Sequence, residues 1–316
     1  MVGGNKNMSK ENTAVTKKKM KRCKEDVVFD AACFIILTLV LFVVAYPLYW
    51  VIISSISAPS AVSSGKVLLH PIGFTLKGYA EVFKNDQVMR GFLNSLIITF
   101  CGVMVNLIVT LPTSYALSRS NFSGKKPISI FYLITMFFGG GLIPTYLVIQ
   151  RLQMLNTIWA LILPGCLSVY NMIVARTFFK SNISEELYEA AEIDGCTQAR
   201  FFFQIALPLS KAIIAILVLY YGVGHWNSYF SALVYISDKA KYPLQLVLRN
   251  ILITNQTALS QTATTAAARA ALQEKQQLID VMKYSLIIIS SIPVLVMYPL
   301  VQKHFVKGVM IGSMKG

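Results

Sequence analysis

The sequence predicts an all-α integral membrane protein with six transmembrane helices. Three observations lead there. Only 14% of the 316 residues are charged, against about a quarter in soluble domains. Apolar runs recur at about 20 residues, the length a helix needs to cross the hydrocarbon core. Six such runs use most of the chain, which leaves no room for a large soluble domain.

The first run, Ala31–Ile53, is apolar except for Thr38. Basic residues precede it, as in a signal peptide, but a signal core spans only about 7–15 residues. It is therefore read as a retained helix. Phe92–Leu117 is the second run and Pro127–Ile149 the third, with Gly139–Gly141 suited to close helix packing. Thr157–Ala175 is the fourth, interrupted by Pro164 and Gly165. Ala212–Trp226 is the core of the fifth, expected to reach about residue 228, and Tyr284–Gln302 is the sixth. Pro144, Pro164 and Pro293 are candidate kinks. No run contains Asp, Glu, Lys or Arg, and His225 is the one ionisable group of the usual kind inside them.

The charge distribution orients the bundle. With the N-terminus in the cytoplasm, 18 of the 29 Lys and Arg residues fall in inside segments. The positive-inside rule then puts both termini in the cytoplasm. The net charge of +15 is thereby explained as orientation charge rather than a nucleic-acid footprint. Residues 1–26 form a polar, Lys-rich cytoplasmic tail with the composition of an unfolded segment. Its cluster Lys17–Lys24 fixes orientation or holds anionic lipid. Residues 27–316 form the membrane domain. The five cysteines lie in the tail, the spans or the cytoplasmic loop, without a CxxC pair or a His at ligand spacing. Neither disulfides nor a metal site is expected.

Two segments outside the spans are long. Residues 229–283 form an outside segment whose Ala-rich stretch, Thr262–Leu272, favours helix. Phe178–Lys211 is a cytoplasmic loop. Within it Ser184 is a plausible N-cap, and Glu185, Glu186 and Glu189 complement the positive end of a helix dipole. Leu187, Ala190, Ala191 and Asp194 recur at helical spacing and make one face with small residues at its centre. Gly195 ends that helix as a glycine in left-handed conformation would. A second helix, Thr197–Ala206, follows, and Leu207-Pro208 leads into the fifth span. Physics alone fits a solvated amphipathic hairpin on the bilayer surface as well as it fits a docking element.

Glu189-Ala190-Ala191, Gly195, Ile205 and Leu207-Pro208, in that register, resemble the EAA loop of binding-protein-dependent ABC importer permeases. Further stretches are similar to the carbohydrate-uptake branch of that family. They are Pro71–Leu76 with Tyr79, Asn94-Ser95-Leu96, Tyr115–Arg119, Trp226–Tyr229, and Tyr298-Pro299 through Lys315-Gly316. The resemblance covers about residues 30–316.

The resemblance implies a type I ABC importer permease bundle, with residues 184–208 as a coupling loop for a separate ATPase. It implies that Glu189, Ala190, Ala191, Asp194, Gly195, Leu207 and Pro208 serve that coupling. The implied partners are a second, non-identical permease, two ATPase subunits and an extracytoplasmic sugar-binding protein, in the lipid of a bacterial plasma membrane. The chain itself would bind no cofactor, because ATP and Mg²⁺ would sit on the ATPase. The absence of a GxxxxGK[ST] run agrees. For the substrate path, polar groups inside spans tend to face the bundle interior. The candidates are Asn94, Asn106, Tyr115, Tyr170, Asn171, Trp226, Asn227 and Tyr229, although aromatic residues near helix ends also serve as interfacial anchors. Two other readings compete: a permease for an amino acid or phosphate, and a membrane-embedded enzyme. The first lacks the C-terminal signature, and the second lacks a catalytic cluster in the spans.

Overall fold

The computed structural model describes residues 24–258 and 266–313. Residues 1–23, which hold most of the basic tail, lie outside that range, as do Thr262–Thr265 and Lys315-Gly316. The elements are helical throughout the described residues. In chain order they are α1 (Lys24–Ser55), α2 (Pro59–Ser63), α3 (Lys77–Lys84), α4 (Asp86–Ser118), α5 (Lys125–Phe137), α6 (Leu142–Arg151), α7 (Trp159–Ile162) and α8 (Val169–Asn182). They continue as α9 (Glu185–Ile193), α10 (Gln198–Phe201), α11 (Leu207–Leu209), α12 (Lys211–Trp226), α13 (Tyr229–Tyr235), α14 (Leu244–Ala258) and α15 (Ala266–Ser313).

The chain divides between Tyr49 and Trp50 into two units. In the first, α1 carries its large apolar side chains exposed from Val27 onward. A helix that is apolar all round suits lipid. In the second unit, Trp50 donates its indole N–H to the Val67 carbonyl at 2.8 Å and packs edge-on against Tyr284 at 5.1 Å.

Among the described residues, three helices are long and apolar enough to cross a membrane, and counting each of three bent pairs as one span gives up to six. The third run is therefore not one straight helix. α5 and α6 meet at 113°, with the break at Phe138–Gly141. Gly141 has φ +82°, a conformation natural to glycine alone, and three successive glycines forfeit helix propensity. Among the described residues no other side chain closes on Gly139 or Gly141 within 4 Å, and the stretch makes a corner. Pro144 sits in the first turn of α6, where its missing N–H costs little, and kinks nothing.

The fourth run bends by 52° between α7 and α8, around the turn containing Pro164. The fifth follows an 80° bend from the segment Gln198–Leu209. The expected second helix of the loop, Thr197–Ala206, is α10 followed by a π-helical turn, Phe202–Ala206. Pro208 supplies the reason: it has no N–H for the Gln204 carbonyl, so the ladder loosens one turn earlier. The sixth run is the middle of the 48-residue α15, which also takes in Ala266–Leu272. Hydropathy marks where a helix meets lipid, not where it stops. The described residues of 229–283 are likewise mostly helix, in α13, α14 and the start of α15.

α4 is the central strut. Its N-cap Asn85 accepts from the Gln87 and Val88 amides at 3.0 and 3.2 Å. One apolar core near its start gathers Val88, Trp226, Leu244 and Leu286. Another near its end gathers Tyr115, Phe179, Tyr188, Phe201 and Phe202. Small polar side chains join the helices between these cores, as when Ser114 donates to the Met172 carbonyl at 3.1 Å.

Candidate functional site

The hairpin of α9 and α10 is built by local signals. Ser184 caps α9 by accepting the Leu187 amide at 3.3 Å. At the far end the Gly195 amide donates to the Glu192 carbonyl and the Cys196 amide to the Ala191 carbonyl, both at 2.9 Å. These two bonds, with Gly195 at φ +76°, form a Schellman stop. Thr197 then caps α10 by accepting the Arg200 amide at 3.3 Å.

The face expected on α9 divides in two. Ala191 is half-buried and turns inward with the buried Tyr188, which packs edge-on against Phe201 at 5.3 Å. Outward lie Glu186, Leu187, Glu189, Ala190, Ile193 and Asp194. Ile193 is 87% exposed, a large apolar side chain among carboxylates. Sequence reasoning missed both Tyr188 and Ile193, although a five-residue offset, which puts two side chains on nearly opposite sides of a helix, was the available signal. Leu207 packs against the hairpin core, whereas Pro208 is exposed in α11.

The hairpin is also fastened to the end of α4. The Arg119 guanidinium pairs with the Glu185 carboxylate at 2.5 Å and lies 4.3 Å from the centre of the Tyr188 ring. Glu185 accepts as well from the Ser120 amide at 3.2 Å and from the Ser120 hydroxyl. The Ser120 hydroxyl above all, helped by the Arg119 charge and the Ser120 amide, holds the Glu185 carboxyl below the usual glutamate range, against an upward push from burial that is second in size only to the hydroxyl. A cavity of about 240 Å³ opens beside this joint, lined by Tyr115, Arg119, Tyr188, Gln198 and Phe202 among others. Tyr115 therefore belongs to the hairpin end. It packs on Phe179, Phe201 and Phe202, and its buried hydroxyl has no hydrogen-bond partner among the described residues.

The other path candidates lie apart. Asn106 is fully buried and donates both amide hydrogens, to the Gly165 and Cys166 carbonyls, each at 2.8 Å. That satisfies the backbone freed by the break between α7 and α8, as irregular backbone at membrane depth requires. Its oxygen is then left to accept, so His225, 2.6 Å away, carries its proton on Nε2. Tyr221 bonds Thr110 at 2.7 Å and accepts the Ser168 amide at 3.2 Å.

Two shallow clefts adjoin this network. One, of about 530 Å³, is lined by Tyr170, Asn171, Tyr220 and Tyr298 among others. The second, of about 310 Å³, is lined by Ser168, Asn171, Tyr220 and His225 among others. Asn94 and Trp226 are engaged in structure. Asn94 donates to the Ala240 and Tyr242 carbonyls at 2.8 and 3.1 Å, and the buried Trp226 donates to the Ser290 carbonyl at 2.8 Å. Asn227 and Tyr229 are exposed at the end of α12.

A helical membrane bundle with broken spans, a polar interior seam and an exposed hairpin at one end is an architecture suited to a membrane transport subunit. No protein-family model matches the chain. Whole-chain relatives do. The polygalacturonan/rhamnogalacturonan transport system permease protein YtcP of Bacillus subtilis is 36% identical over 288 residues, which is 91% of this chain and 98% of that one. Protein LplC of the same organism is 38% identical over 297 residues, covering 94% and 98%. In structure, the chain is similar to a bacterial ABC transporter involved in the import of the acidic polysaccharide alginate. The TM-score is 0.81 at 27% identity, covering 90% of this chain and 99% of that one. The chain belongs to the family of sugar ABC transport system permeases, as a multi-pass membrane subunit of an importer.

Proposed function

We propose that α9 is the coupling helix through which this permease subunit receives work from a separate ATPase. The observation that carries the reading is the outward face of α9, where Ala190 leaves room for close approach and Ile193 projects among Glu186, Glu189 and Asp194. A helix lying on the bilayer would hide its apolar side chains in lipid and display Lys or Arg instead. An apolar knob ringed by carboxylates suits a groove with a basic rim. Capped at both ends, the helix moves as one body.

In this reading, closure of two ATPase subunits draws α9 and its counterpart on a second, non-identical permease together. The bundle then switches between inward-facing and outward-facing states, a bistable rigid-body change biased from another site. ATP and Mg²⁺ belong to the ATPase, and this chain binds no cofactor. An extracytoplasmic sugar-binding protein delivers the cargo. Both termini and the hairpin lie in the cytoplasm of a bacterial cell whose plasma membrane lipid surrounds the bundle, and nucleic acid has no part. Tyr170 and Asn171, with Tyr220 and His225, line the clefts best placed for cargo, combining ring faces with hydrogen-bonding groups. Fragments of acidic polysaccharides are the first cargo to test, because YtcP and the alginate transporter are both named for such substrates.

The test is the complete transporter in lipid vesicles. Ala190→Trp or Gly195→Pro should leave the chain inserted but abolish cargo-stimulated ATP hydrolysis and uptake. Normal stimulation in an inserted variant would sink the assignment.

A further inference from the structure

The coupling helix could be tethered to the bundle by its chain ends alone, Ile183 before it and Cys196 after it. It is not. Arg119, the residue that ends α4, reaches across 66 positions of sequence to Glu185 in the first turn of α9. The guanidinium pairs with the carboxylate, and its carbon lies over the Tyr188 ring, 4.3 Å from the ring centre. It is 13% exposed, so solvent screens this pair less than an open surface pair. Ser120, the next residue, adds an amide and a hydroxyl to the same carboxylate. The two residues that follow α4 therefore grip the first turn of α9 through three polar contacts and a ring.

The other end of α4 is gripped as firmly. Ser95 accepts the Leu244 amide at 2.8 Å, and Asn94 holds the Ala240 and Tyr242 carbonyls. α4 has 33 residues, Pro112 among them, which at about 1.5 Å per residue makes a continuous helix of about 50 Å. A displacement of α9 cannot occur about its chain ends without breaking the Arg119–Glu185 pair or moving α4. We propose that Arg119, through Glu185 and Tyr188, is the positioning residue that transmits the motion of α9 to α4, and through α4 to the segment Ala240–Leu244 at its far end. This rests on α9 being the coupling helix.

The experiment uses the assembled transporter in lipid vesicles, read as the ratio of cargo-stimulated to basal ATP hydrolysis. The variants are Arg119→Gln, Glu185→Gln, the two together, and the exchange Arg119→Glu with Glu185→Arg. Each single change should lower the ratio about fivefold or more while basal hydrolysis persists. The double change should lower it no further than the worse single change, because both remove one contact. The exchanged pair should recover part of the loss. Glu185 is 43% exposed, so Glu185→Gln is expected to fold and assemble, and it decides the matter if Arg119→Gln does not. A wild-type ratio in Glu185→Gln, or additive losses in the double variant, would overturn the proposal. Ala190→Trp run in parallel separates the two claims. If Ala190→Trp uncouples and Glu185→Gln does not, only the role of Arg119 falls. If neither uncouples, the coupling helix falls with it.

Discussion

Asn106 uses both its donors and its oxygen on one task, holding two carbonyls of the broken fourth run and the His225 ring. That task depends on a glycine one turn away. A Cβ at Gly102 would meet the His225 ring at 2.5–2.7 Å, and the ring cannot swing aside without losing Asn106. Gly102→Ala should therefore destabilise the chain by about 1–3 kcal/mol. Gly222→Ala is the control: its Cβ meets the tip of Met297, an adaptable side chain, and should cost clearly less. Thermal unfolding of the purified chain in detergent checks both, and equal midpoints would refute the difference.

Glu185 makes a separate prediction. Its folded pKa lies below the usual value of 4.5, so its contribution to holding α9 is complete above that value and is lost as pH falls through the folded pKa. Isotope-edited infrared spectra should show the carboxylate band surviving below pH 4.5, and Ser120→Ala should bring its loss to higher pH.

At the scale of elements, α9 was legible in the sequence because its limits are local. Ser184 and Gly195 bracket it, and the helix runs from Glu185 to Ile193 between them. The third run was not legible as two helices. Hydropathy continues smoothly from Pro127 to Ile149, and only the backbone shows that Gly141 adopts φ +82° and ψ 179°. That region is essentially closed to residues with a Cβ, at about 1–3 kcal/mol. Gly141→Ala should lower stability by about that amount. Gly139→Ala should be nearly neutral, since no other side chain closes on it and its φ is not positive. The same thermal measurement distinguishes them, and equal effects would mean that the corner does not depend on Gly141. The inward turn of Ala191 was missed for a different reason. Helical spacing put both alanines on one face, and which side meets the bundle is decided by Tyr188, whose partners Phe201 and Arg119 lie far along the chain.

At the scale of the whole molecule, what the sequence could not supply are contacts across long separations: Arg119 with Glu185, Asn106 with His225, Asn94 with Ala240. Several of these residues stand out in their own segments, but nothing local to either segment names the partner. What it did supply is a charge pattern with a physical consequence. Eighteen of 29 basic residues fall on the side that holds the hairpin if the N-terminus is cytoplasmic, and moving basic residues across a membrane is opposed. The exposed Ser64, after α2, and Lys126, in the first turn of α5, should then face opposite compartments. In a cysteine-free background carrying either Ser64→Cys or Lys126→Cys, a membrane-impermeant maleimide added to intact cells should label the first and spare the second. Inverted vesicles should give the opposite result. Labelling of Lys126→Cys from outside would place the hairpin outside too, where no ATPase could reach α9, and would remove the basis for coupling at a single stroke.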